Sequence, residues 1–120
     1  MPLKIAILAS GSGTNAQAMI DKAIQAAQAC AIQPYEFHGG CGFAYVAIRM
    51  RKNGAGHKLL KDAGWSWDSW HKEWRFRPQN YCKLHDGMWQ SEGYNFLICV
   101  AFANVLIEEG INCHAGSWAD

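Results

Sequence analysis

The most apolar part of the chain is YNFLICVAFANVLIEEG, residues 94–110, and the other elements are placed around it. It contains an apolar run over 96–107 that is interrupted only by Asn104. This run is too short to cross a bilayer as a helix, so it predicts a buried core helix over about 94–109 and no membrane partner. Gly110 follows as the residue expected to end that helix.

The flanking segments supply the other predicted elements. Residues 16–31 are rich in Ala and Gln with apolar residues at helical spacing, which predicts a second main helix that ends before Pro34. Residues 42–50, GFAYVAIRM, are typical of a strand. A short helix is expected over 57–63, and shorter strands around 3–9, 72–77, 81–84 and 111–116. The predicted fold class is therefore α+β, one domain over residues 1–120 with a small mixed sheet packed against two main helices, about 16–31 and 94–109.

The bulk composition is that of a folded domain. The chain has 120 residues, of which 50% are hydrophobic and 18% charged, so a disordered chain is excluded. Its five cysteines are odd in number and lack the spacing of a disulfide framework. With no signal peptide recognised at the N-terminus, reduced thiols and a cytoplasmic location are expected.

The charge is unevenly distributed along the chain. The formal net charge is only +1, but residues 49–83 carry nine of the eleven Lys and Arg residues and three of the ten acidic ones. This third of the chain is therefore +6 and the remainder is −5. The asymmetry predicts one basic face rather than a uniformly neutral surface.

An anion-binding turn is predicted directly after the first strand. The turn consists of Ser10, Gly11, Ser12, Gly13, Thr14 and Asn15. Glycines let backbone N–H groups approach an anion, and the helix that follows contributes partial positive charge at its N-terminus. The alternative is a strand-to-helix turn that binds nothing.

Residues 3–22, which contain this turn, resemble the N-terminal start of the glycinamide ribonucleotide formyltransferases. The resemblance implies that residues 10–15 hold a phosphate, and that 1–22 is a leader borrowed from that family. The family's catalytic constellation includes a His-Pro segment farther along, and this chain contains no His-Pro dipeptide. We therefore expect an inactive phosphate or nucleotide binder at most, with no catalytic residue and no cofactor.

Residues 23–120 resemble a family of small phage and prophage proteins. The residues that carry the resemblance are CGFAYV at 41–46 and GINCHAGS at 110–117. The family has no activity that could be transferred to this chain. The resemblance implies a non-enzymatic binding or accessory module that acts through a protein partner.

A second functional candidate lies between residues 65 and 83, where aromatic and basic residues interleave. The predicted surface consists of Trp67, Trp70, Lys72, Trp74, Arg75, Arg77 and Tyr81. Trp and Arg are common at the centres of protein interfaces, and a protein partner is the favoured interpretation. Aromatic residues beside basic ones also bind single-stranded nucleic acid, which is the alternative. A third interpretation is that the tryptophans only complete the core.

Two Cys/His pairs have the local spacing of half of a zinc site. His38 and Cys41 are three residues apart, as are Cys82 and His85. If the pairs converge, the four residues form a Cys₂His₂ site. If they do not, Cys41 is a small apolar residue at the start of a strand.

Overall fold

The computed structural model describes residues 13–36, 40–50, 52–53 and 56–119, with side chains from residue 17 onward. It contains three helices, α1 (Gly13–Ala31), α2 (His57–Asp62) and α3 (Glu92–Glu108), and a short 3₁₀ turn at Pro78–Tyr81. The four strands are β1 (Gly42–Ile48), β2 (Ser66–Asp68), β3 (Glu73–Phe76) and β4 (Cys113–Ala119). The predicted α+β class and both main helices are confirmed.

The strands form one sheet in the order β2-β3-β1-β4. Every described pair is antiparallel, whereas the sequence predicts a mixed sheet. The strand predicted over 3–9 lies outside the described residues. The strand predicted over 81–84 is wrong, because Pro78 begins a 3₁₀ turn that ends at Tyr81.

Two structural features set the ends of α3. The Ser91 hydroxyl caps the helix by accepting a hydrogen bond from the backbone N–H of Tyr94. Gly110 follows the helix with a φ of +88°, the left-handed conformation that glycine adopts without strain. The sequence-based end of this helix is therefore confirmed.

The core lies between one face of the sheet and the helices α1 and α3. Alternate residues of β1 point inward, so Ala44, Val46 and Ile48 are buried. Phe102 of α3 is fully buried and packs against the rings of Trp65 and Phe76. Helix α3 packs on this inner face and α1 packs against α3, so among the described elements neither long helix covers the opposite face of the sheet.

No helix in the described part of the chain combines the length and the apolarity that a membrane span requires.

Candidate functional site

The outer face of the sheet carries three aromatic rings on two neighbouring strands. Phe43 and Tyr45 are alternate residues of β1, and the register places Phe43 opposite Trp118 of β4. The Trp118 ring centroid lies 5.6 Å from that of Phe43 and 5.7 Å from that of Tyr45. We call these three rings the aromatic row.

A glycine makes room for this arrangement. Gly116 lies opposite Tyr45 in the register of β1 and β4. A Cβ atom at Gly116 would lie 2.5 Å from the Tyr45 ring. The Tyr45 ring therefore crosses over Gly116 toward Trp118, a position that any larger residue on β4 would obstruct.

Arg77 adds an uncompensated positive charge to the aromatic row. Its guanidinium carbon lies 5.3 Å from the Phe43 ring centroid and 4.9 Å from that of Trp118. In the part of the chain that the structure describes, no carboxylate forms an ion pair with it. Its charge therefore remains available to an anion.

Arg75 lies on the same face but in a different electrostatic setting. Its guanidinium covers the Tyr45 ring at 3.8 Å from the centroid. Its Nε donates to the Glu73 carboxylate at 2.8 Å, and its Nη1 lies 3.2 Å from the Asp68 carboxylate. Because two carboxylates hold it, Arg75 is fixed in orientation and largely neutralised.

The carboxylate of Asp68 is also bound from the hairpin that connects β2 to β3. It accepts a hydrogen bond from the backbone N–H of Trp70 and lies 2.7 Å from Nδ1 of His71. Desolvation acts to raise the pKa of Asp68. The hydrogen bonds from His71 and Trp70 and the charges of Arg75 and His71 outweigh it and hold the pKa below its usual value. Asp68 is therefore ionised and holds Arg75 in place.

A cavity of about 610 Å³ opens beside the aromatic row. Its wall includes Tyr45, Arg75, Arg77 and Trp118 from the sheet, and Asn80 from the 3₁₀ turn. The volume is in the range of small-molecule sites, and the wall combines aromatic faces, guanidinium groups and an amide. Such a wall suits a planar ring that carries a negative charge nearby.

The residues predicted between 65 and 83 divide between the core and the surface. Trp74 is 4% exposed and belongs to the core, and Trp67 meets it edge-on at 5.7 Å between ring centroids.

Trp70 is 89% exposed in the turn between β2 and β3, next to the exposed Lys72. Tyr81 is 54% exposed and lines the cavity with Arg75 and Arg77. The predicted surface therefore contributes its arginines and Tyr81 to the site, but not Trp74.

Sequence reasoning missed the aromatic row. Phe43 and Tyr45 alternate with small and apolar residues in a segment that was predicted as a strand, so the pattern already places two rings on one face. Trp118 lies more than 70 residues away in the sequence, and only the register of β1 and β4 brings it to them.

The predicted anion-binding turn lies mostly outside the described residues. Ser10, Gly11 and Ser12 are not among them. The backbone of Gly13, Thr14 and Asn15 forms the first turn of α1, and nothing is described of the latter two side chains. The phosphate-binding role of residues 10–15 stays a prediction.

The predicted zinc ligands are placed only in part. His38 lies outside the described residues, Cys41 is exposed, and Cys82 is half-buried. Nε2 of His85 lies 2.7 Å from the Gln33 carbonyl oxygen. Burial raises the pKa of the Cys82 thiol to about 11. Within the described ranges no three His, Cys, Asp or Glu side chains come together as a metal site.

Comparisons with models of protein families, with curated proteins and with solved structures give no match. The function of the protein is therefore inferred from the geometry of its own residues.

Proposed function

We propose that the protein binds single-stranded nucleic acid across the outer face of its sheet. The observation that carries the proposal is the aromatic row of Phe43, Tyr45 and Trp118, with the unpaired guanidinium of Arg77 over two of its rings. Unstacked bases bind to aromatic side chains on open sheets, and adjacent cations bind the phosphates.

The stacking surface would supply most of the affinity. Base–aromatic stacking contributes about 1–3 kcal/mol per base and tolerates any sequence, because every base has a π face. Trp118 offers the largest ring of the three and is 36% exposed. It is therefore the side chain on which we expect a base to stack first.

The two arginines would have different roles. Arg77, without a carboxylate partner among the described residues, would bind phosphate and contribute to the salt dependence. Arg75 is held over Tyr45 by Asp68 and Glu73, so its charge is compensated. Its planar guanidinium would instead extend the stacking surface of Tyr45 into the cavity.

Fluorescence anisotropy of labelled single strands, one of DNA and one of RNA, tests the proposal. Trp118→Ala should weaken binding by about 10-fold, the equivalent of about 1.4 kcal/mol of stacking. Trp89→Ala is the matched control, because Trp89 is 58% exposed and is not part of the aromatic row. The proposal fails if the wild-type protein binds neither strand, or if the two variants behave alike.

Protein binding is the second candidate, and a different observation favours it. Helix α3 exposes Leu97 at 47% and Ile107 at 49%, on the side turned away from the buried core. A second copy of the chain would present the same two apolar side chains in return, so it is the partner to test. Sedimentation over a range of concentrations should then show a dimer that Leu97→Glu dissociates. A monomer at every concentration would remove self-association through α3 as a candidate.

A further inference from the structure

A second cavity lies at the edge of the sheet, between β2 and α2. Its volume is about 550 Å³. Trp65, Trp67 and Trp74 contribute to its wall from the sheet side, and Lys58 and Lys61 contribute from α2. The half-buried Trp67 is the indole with the most exposure among these three. The cavity therefore combines an aromatic surface with a basic rim, as the first site does.

The rim of this cavity is positively charged. Lys52, Lys58 and Lys61 line it, and Asp62 is the acidic residue beside them. Within the described ranges, none of the three lysines forms an ion pair. Three ammonium groups against one carboxylate leave this concavity with a net positive charge, which suits successive phosphates rather than a single carboxylate.

The two cavities share one lining residue. Ser66 of β2 lines both the 610 Å³ cavity beside the aromatic row and the 550 Å³ cavity beside α2. β2 is the edge strand of the sheet, so a chain that leaves the outer face there meets no further strand among the described residues. Because Trp67 and Trp74 lie on the opposite face of the sheet from Arg75, a ligand that extends past Ser66 would reach the lysines by passing around this edge strand.

We propose that the cavity beside α2 continues the binding track, and that its lysines bind the phosphates of nucleotides that extend beyond the sheet face. The inference depends on the proposed function. It adds a direction to that function. The bound strand would run from Trp118 across Arg77 to Ser66, and then to Lys58 and Lys61. Short strands would occupy the sheet face alone, and longer strands would occupy both parts.

Length and salt dependence separate the two parts of the track. Each phosphate bound by a cation releases counterions and contributes about 0.7 to the slope of log K against log salt for single strands. The wild-type slope should therefore be steeper for a strand of about 15 nucleotides than for one of about 5, lengths near the two ends of the known range of single-strand site sizes.

The test combines strand length with matched lysine variants of the full chain. Lys58→Gln and Lys61→Gln should each reduce the slope for the long strand by about 0.7 and leave short-strand binding unchanged. Lys22→Gln is the control, because it removes the same charge from α1, where Lys22 pairs with Glu109 at 3.9 Å. DNA and RNA versions of both strands show which backbone the track accepts.

The outcomes distinguish this inference from the function on which it depends. Equal slopes for long and short strands, or lysine variants that match Lys22→Gln, overturn the extended track and leave the sheet-face site intact. A wild-type protein that binds neither strand overturns both. Loss of short-strand binding in Lys58→Gln also overturns the division into two parts, since the short strand should not reach α2.

Discussion

Arg75 lies on β3, and Arg77 lies on the segment that follows it. Although the two residues are close in the sequence, replacing each with alanine should damage a different property of the protein. Arg75 is bonded to Glu73, whose side chain is only 3% exposed. Arg77 is exposed and has no ion pair in the part of the chain that the structure describes. We expect Arg75→Ala to lose stability and Arg77→Ala to lose nucleic-acid binding.

The expected loss of stability follows from the burial of Glu73. Removing one partner of a buried ion pair destabilises a protein by about 3–5 kcal/mol, because a buried charge is left without its partner. Nε of Arg49 remains 3.6 Å from the Glu73 carboxylate, but the Arg49 side chain is 76% exposed, so it compensates only in part. We therefore expect Arg75→Ala to lower the free energy of unfolding by about 3 kcal/mol.

Arg77→Ala should be much milder. It removes a guanidinium that lies over the rings of Phe43 and Trp118 at the surface, an interaction of about 0.5–1 kcal/mol. Its larger effect should be on binding, where the slope of log K against log salt for a single strand falls by about 0.7.

Urea unfolding followed by circular dichroism measures the first effect, and anisotropy at several salt concentrations measures the second. The pair Glu73→Gln/Arg75→Ala is the matched control, since neutralising the buried carboxylate should restore part of the stability that Arg75→Ala loses. An Arg75→Ala variant whose free energy of unfolding lies within about 1 kcal/mol of the wild-type value would contradict this expectation. Equal destabilisation of Arg77→Ala would contradict it as well.

Four further predictions concern the core, the thiols and the aromatic row. Phe102→Ala should lower the free energy of unfolding in urea by about 3–5 kcal/mol, because Phe102 is fully buried; a loss below about 1 kcal/mol would contradict this. Ellman's reagent should modify the exposed Cys41 rapidly and the buried Cys99 only on unfolding, so equal rates would be inconsistent with the fold. Burial raises the pKa of Cys99 to about 12 from 9.0, so its thiol contributes stability that is complete below pH 9 and decreases as the pH rises toward 12. Urea unfolding at pH 8 and pH 10 measures this decrease in the free energy of unfolding. The difference between the two pH values should be smaller in Cys99→Ala than in the wild type. Gly116→Val should displace the Tyr45 ring and weaken single-strand binding more than it lowers the thermal midpoint; unchanged anisotropy would show that the ring is not part of the site.

The helices were predictable because local signals determine them. The apolar run before Gly110 and the Ala-rich segment before Pro34 indicated α3 and α1, whose observed bounds agree within a few residues. The signals were continuous in the sequence, so no knowledge of distant contacts was needed.

Strand β2 was not predictable, because its turn lacks the usual signals. The segment 69–72 connects β2 to β3 without Gly, Pro or Asn, and Lys72 itself adopts a positive φ of 54°. Non-glycine residues seldom adopt this conformation. The sequence therefore contains no signal that separates β2 from β3.

The candidate site was predictable only in part, because it is assembled from distant residues. The contiguous segment over 65–83 included the exposed Arg77 and the partly buried Arg75, but also Trp74, which points into the core. Alternation along β3 places Trp74 and Arg75 on opposite faces, and Trp118 joins the site through strand pairing alone. Segment composition therefore pointed to arginines near the outer face but not to the aromatic rings that lie beside them.

NMR titration can show whether the outer face of the sheet binds single-stranded nucleic acid. Adding an unlabelled single strand to the ¹⁵N-labelled protein should shift the amide signals of Phe43, Tyr45, Arg77 and Gly116 and the indole N–H signal of Trp118. The amides of Leu97 and Ile107 on α3 should stay unchanged. Shifts confined to α3, or no shifts at all, would contradict the claim.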